Sequence, residues 1–190
     1  MSARDEILKN IRMRPRRDAP RPSAYRAPSA PADLVAAFAE KARGVNADVL
    51  VLERDDEIAG AIAELLRAKN MAARIHVAGG SDLDLPFETL RTPPGPDDAA
   101  VTRAPFAIAE TGTLVQPSRA GAPASWHFRP GFEIAILRAS DIVAHFEDLA
   151  LDPLPATVNL VTGPSRTGDI EQTLELGAHG PKALAVLIVK

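Results

Sequence analysis

Apolar residues recur along this chain in two rhythms, and their alternation outlines an α/β fold. Ile7, Leu8 and Ile11 share one helical face behind Ser2, a residue suited to cap an N-terminus, so residues 2–13 are predicted to form a short amphipathic helix. Residues 14–31 contain Pro15, Pro20, Pro22, Pro28 and Pro31, too many for a helix or an inner strand, and read as a linker. The body then alternates. A helix is predicted at 33–43, stopping at Gly44, followed by a buried strand at 47–52. Ile58, Ile62, Leu65 and Leu66 point inward from a helix at 55–69 that ends at Asn70, and a second strand follows at 73–77. This rhythm predicts a mainly parallel sheet flanked by crossover helices.

The middle of the chain is less regular. Residues 99–104, 106–109 and 113–116 read as extended, and 117–131 as a loop rich in Pro, Gly and Ala that carries Trp126 and His127. A strand at 133–137, a helix capped by Ser140 and running to 149, a strand at 157–162 and a helix at 169–176 follow. The closing run 184–189 (LAVLIV) is nearly unbroken in apolar residues, which marks a strand buried on both faces. No internal repeat is present. The organisation expected is an N-terminal helix and Pro/Arg-rich linker at 1–31 and one α/β domain at 32–190.

Composition sharpens this picture. The chain has 190 residues, 46% of them hydrophobic but only 4% aromatic, so the core is built from aliphatic side chains, as suits a sheet covered by helices. There is no cysteine, which removes disulfides and any thiolate ligand for zinc or an iron-sulfur cluster. His76, His127, His145 and His179 stand at no ligand spacing, and no metal site is expected. No apolar run approaches the ~20 residues of a membrane span, and the N-terminus is charged where a signal peptide is apolar, so a cytoplasmic location is expected. Residues 1–30 hold eight basic residues against three acidic ones, a net of +5, so the other 160 carry −8. Such an arm can contact nucleic acid, its own body or a partner subunit. With no aromatic residue among the arginines before Tyr25, a base-stacking platform is missing and nucleic acid is the weakest of these.

Three segments carry groups suited to chemistry. In the first, the 157–162 strand gives way to Gly163-Pro164-Ser165-Arg166-Thr167-Gly168-Asp169. Open α/β sheets place ligands at the carboxyl ends of strands, where helix N-termini offer free N–H groups. Gly163 and Gly168 allow close approach, and Ser165, Arg166 and Thr167 are donors for a carboxylate or phosphate. The alternative is plain capping by Asp169 with Gln172. The segment lacks the lysine and glycine spacing of a P-loop. The second segment is Glu110-Thr111-Gly112-Thr113. A partly desolvated Glu110 carboxylate with a raised pKa would serve as base or nucleophile, or else simply bond to the threonine hydroxyls and turn amides. The third is Gly177-Ala178-His179-Gly180-Pro181, where His179 suits acid–base work, an anion contact or a tight-turn hydrogen bond.

Taken together, AETGTLV (109–115), TGPSRTGDIE (162–171) and GAHGP (177–181) resemble, in order, the signature blocks of the LUD domain, and most closely its LutC/YkgG-type lactate utilisation proteins. In layout the resemblance covers about residues 32–190, and the GPSRT block is its specific part. It implies a NagB/RpiA/CoA-transferase-like fold and a role in a cytoplasmic system that oxidises L-lactate to pyruvate beside iron-sulfur companion proteins. Lacking cysteine, the chain would leave electron transfer to a centre in a partner or to an organic cofactor that the sequence does not show. Two departures stand out. Gly168 replaces a common alanine, and Pro130-Gly131-Phe132-Glu133-Ile134 replaces a Pro-x-x-His-Ile stretch, so a histidine required there is absent or supplied by His127. Glu110-Thr111-Gly112 is also similar to the Glu-Asn-Gly of some CoA transferases, in two residues only. Three readings therefore stay open: a lactate-oxidation component binding a small carboxylate or a partner, a stand-alone isomerase- or CoA-transferase-like enzyme using Glu110, and a non-catalytic regulatory protein whose arm recruits a partner or a second copy.

Overall fold

The apolar closing run lies in the middle layer of the molecule. A computed structural model describes residues 2–13, 23, 25–79, 83–168, 174–176 and 180–190. Its main sheet contains β1 (Asp48–Leu52), β2 (Arg74–Val77), β3 (Glu88–Leu90), β4 (Ala99–Ala104), β7 (Phe132–Arg138) and β12 (Ala183–Val189). The order is β1-β12-β7-β4-β2-β3, and every pairing is parallel. A second sheet of order β8-β5-β6-β9 uses β5 (Phe106–Ile108), β6 (Thr113–Pro117), β8 (Ile142–Val143) and β9 (Val158–Val161). The backbones of β10 (Arg166–Gly168) and β11 (Leu174–Leu176) form an antiparallel pair.

Strand alternation divides β12 between two cores. Leu184, Val186 and Ile188 face helix α2 (Leu34–Gly44) and the second sheet, where Phe38, Leu114 and Ile142 are also buried. Ala185, Leu187 and Val189 face helix α3 (Ile58–Ala68), through Ile62, Leu65 and Leu66. Leu187, Ile188, Ile134 and Ile62 are all fully enclosed, and each such side chain contributes about 1.5–3 kcal/mol of transfer free energy. The result is the expected α/β architecture, a mainly parallel sheet flanked by helices. Asp33 caps α2, its side chain accepting a hydrogen bond from Ala36 N–H at 2.9 Å, and the helix ends as Asn46 takes φ of 67°.

One predicted helix is absent, and the described end of another is a strand, for local reasons. Residues 140–149 form short 3-10 turns at Ala139–Asp141 and Phe146–Asp148 with β8 between them. The β-branched Ile142 and Val143 pair with β5, while Asp148 and Glu110 accept the His145 and Phe146 N–H groups that a helix would need. In the second case, Leu174–Leu176 is a strand paired with Arg166–Gly168, in keeping with its period-two Leu-Glu-Leu pattern; residues 169–173 of that predicted helix lie outside the described residues. The predicted strand at 157–162 forms at Val158–Val161, as an edge strand with Val158 and Leu160 exposed. Helix α1 (Ala3–Met13) forms as expected and buries none of its residues, so Ile7, Ile11 and Met13 face outward. No described helix is long and apolar enough to cross a membrane.

Candidate functional site

The GPSRT loop leaves β9 at Val161 and enters a pocket of about 250 Å³ whose wall includes Thr162, Gly163, Ser165, Arg166, His127 and Pro181. Its position differs from the one expected. Ser165 N–H donates to the Pro181 carbonyl at 2.9 Å, and Pro181 leads into the first residue of β12. The pocket therefore sits at the amino-terminal end of the parallel strands, and the loop continues into β10 rather than into a helix. Its donors are side chains and loop amides, and among the described residues no helix N-terminus lines it.

The structure joins all three sequence segments, the third through Gly180 and Pro181 in the pocket wall. Thr113 on β6 hydrogen-bonds Thr111 at 2.7 Å and Thr162 at 2.8 Å, a chain of hydroxyls linking the Glu-Thr-Gly-Thr turn to the loop. Gly112 and Gly163 have φ of 67° and 77°, and both press on the end of α2. A Cβ on Gly112 would meet Ala42 N at 2.4 Å, and one on Gly163 would meet Val45 O at 2.5 Å. Both positions thus require glycine for the backbone and for packing. Arg166 is exposed and Ser165 half-buried. Thr167 is described only through its backbone, paired with Glu175, whereas Asp169 and His179 lie outside the described residues.

Glu110 is placed away from this pocket. One carboxylate oxygen lies 3.0 Å from His145 Nδ1 and the other accepts the Phe146 N–H at 3.1 Å. In place of the expected rise, its pKa is lowered, first by the His145 hydrogen bond and then by the Phe146 amide, with burial opposing. His145 is raised reciprocally, chiefly by Glu110, and the Pro28 carbonyl of the linker adds a smaller effect.

A buried cluster that sequence pattern did not assemble stands behind the pocket. His127 Nδ1 and Glu133 Oε1 are 2.7 Å apart, and Thr102 Oγ1 donates to the same oxygen at 2.7 Å. Glu133 is 0% exposed and His127 3%, while Glu133 Oε2 has no partner. A fold retains such a group at a cost of several kcal/mol when unpaired, and pairing it with histidine fixes the ring's orientation. With Nδ1 committed to Glu133, Nε2 is the ring nitrogen left for a ligand. The signal was available in the sequence: Glu133 is the sole charged residue within the apolar run FEIAIL, and a buried charge requires a partner. In the structure that partner is His127.

Residues 97–189 match the family model of the LUD domain. A protein of Halalkalibacterium halodurans named lactate utilization protein C is 32% identical over 102 residues, which cover 49% of this chain and 44% of that protein. A protein of the same name from Shouchella clausii is 33% identical over 100 residues, covering 48% and 44%. The chain thus spans less than half the length of these curated relatives. A crystal structure of a DUF162 family protein from Deinococcus radiodurans superimposes with a TM-score of 0.65, covering 86% of this chain and 100% of that one at 24% identity, a likeness of fold.

Proposed function

We propose, from the match of residues 97–189 to the LUD domain family model, that the chain is a component of a cytoplasmic L-lactate utilisation system that binds a small carboxylate at the Ser165/Arg166 pocket. The observation that carries this reading is the pocket itself, in which the family's signature loop brings a hydroxyl and a guanidinium beside a histidine seated on a buried carboxylate. Arg166 supplies the forked donor that a carboxylate accepts, and Ser165 and His127 Nε2 are suited to its oxygens or to an adjacent hydroxyl. Oxidation of L-lactate to pyruvate releases two electrons. Without cysteine the chain ligates no cluster through thiolates, so an iron-sulfur companion protein takes them in this reading.

A catalytic role for Glu110 as an isomerase- or CoA-transferase-like base or nucleophile has less support. Both its oxygens are engaged by His145 and Phe146, and its pKa is lowered where a base needs it raised. Chemistry at the pocket itself is better served by His127, whose ring Glu133 and Thr102 hold in place. Deleting the gene should abolish growth on L-lactate as sole carbon source. The wild-type gene should restore it, and a copy carrying Ser165→Ala and Arg166→Ala should not. Normal growth of the deletion strain in a background without a second copy overturns the proposal.

A further inference from the structure

At the end of the sheet opposite the loop pocket, the carboxyl-terminal ends of β4 and β7 and the segments that follow β1 and β2 line one cavity. It has a volume of about 320 Å³, within the range of small-molecule sites. Arg103, next to last on β4, and Arg138, last on β7, form one wall; Asp55 and Asp56, beyond β1, and Asp84, beyond β2, form another. Open α/β sheets bind ligands in this crevice.

The charges are unevenly matched. Asp55 makes a two-pronged ion pair with Arg138, at 2.7 Å on each prong. Asp56 is held by Arg54 at 2.9 Å, and Asp84 is exposed. Arg103 receives none of these carboxylates within hydrogen-bond distance. Its Nε is enclosed and has no hydrogen-bond partner, an unfavourable state for a charged donor. Arg119 holds the strand from behind the cavity, its Nη2 donating to the Arg103 main-chain carbonyl at 2.9 Å. Burial, and then the nearby charge of Arg103, push the Arg119 pKa down. Asp55 lies near enough to feel the charge of Arg103, but its two oxygens are taken by Arg138, so the Arg103 fork has a nearby countercharge and no hydrogen-bonded carboxylate.

We propose that Arg103, backed by Arg119 and flanked by the Arg138–Asp55 pair, binds the oxyanion of a small metabolite, a phosphate or a carboxylate, in this cavity. The fork of Arg103 takes the anion and the rim carboxylate of Asp84 takes hydroxyl groups of the same ligand. This site is independent of the Ser165/Arg166 pocket, because β7 separates the two along its whole length.

Calorimetric titration of the full chain with inorganic phosphate, citrate and L-lactate, in a buffer free of other oxyanions, tests this. Binding of phosphate alone assigns a phosphorylated ligand, and binding of citrate alone a polycarboxylate. In either case Arg103→Met should weaken binding by at least about tenfold, whereas Arg166→Ala should leave it unchanged. Arg103→Lys, which keeps the charge and loses the forked donor, should also bind more weakly and guards against a folding defect in the methionine variant. Failure of both phosphate and citrate to bind, or binding that Arg166→Ala abolishes and Arg103→Met and Arg103→Lys do not, overturns the proposal. The second of these outcomes would leave the loop-pocket reading standing.

Discussion

Removal of the Glu133 carboxylate offers the sharpest check on the cluster behind the loop pocket. In Glu133→Ala the Thr102 hydroxyl and the His127 Nδ1–H each lose a partner at 2.7 Å in surroundings closed to water. A stranded buried donor costs about 1–3 kcal/mol, and breaking a buried pair by removing one side costs about 3–5 kcal/mol in all. For a chain of this length that lowers the melting temperature by roughly 6–20 °C. Glu133→Gln keeps a carbonyl acceptor for both donors and forfeits only the charge, so its loss should be smaller, about 1–3 kcal/mol. Urea unfolding of the two single variants, of His127→Ala, and of the Glu133→Ala/His127→Ala double variant supplies a cycle. The double variant should be less unstable than the sum of the singles by about 1–3 kcal/mol. Additive losses, or a Glu133→Ala protein within about 0.5 kcal/mol of wild type, would show that no strong pair is held there.

Other outcomes follow from single residues. Gly112→Ala should cost about 1–3 kcal/mol or more, because φ of 67° and the Ala42 backbone both exclude a Cβ; an unchanged unfolding midpoint would refute that packing. Leu187→Ala should cost about 2–5 kcal/mol by leaving a cavity in the fully buried α3 side of the sheet, readable in the same urea assay. The Glu110–His145 pair gives a pH signature. His145 is raised, so its contribution is full below its ordinary value of 6.5 and lost as pH rises through the folded pKa. Glu110 is lowered, so its contribution is full above its ordinary 4.5 and lost as pH falls through the folded pKa. The melting-temperature difference between wild type and Glu110→Gln should therefore be greatest between these two values and shrink on either side, and a difference that is flat with pH would contradict the pairing.

The elements legible in the sequence were those with long, one-sided or unbroken apolar patterns. Helices α2 and α3 and strands β1, β2, β4, β7 and β12 lie within a few residues of their expected positions because tertiary burial and local pattern agree there. The pattern failed where short polar contacts outweigh periodicity. Ser140 reads as a helix cap, but side chains of Asp148 and Glu110 take the amides that would have propagated the helix. Strand β3, three residues long and half exposed, carried no signal above its surroundings. At the loop, chemistry was visible as residue type, while its place was not: antiparallel pairing of β9 with β6 carries Gly163 to the amino-terminal end of the main sheet, a consequence of topology alone. His127 and Glu133 met for the same reason, through a turn that no spacing rule anticipates.

β7 bears Glu133 near one tip and Arg138 at the other, and it is zipped residue by residue to β12 along its full length and to β4 from Phe132 to Leu137. A strand clamped on both sides transmits little displacement along its axis, so occupancy at one tip should leave affinity at the other unaltered. In thermodynamic terms the coupling free energy between the two ends should be close to zero. The two ends would then answer to two metabolites as separate inputs, and the protein would read their concentrations in parallel rather than as one switch.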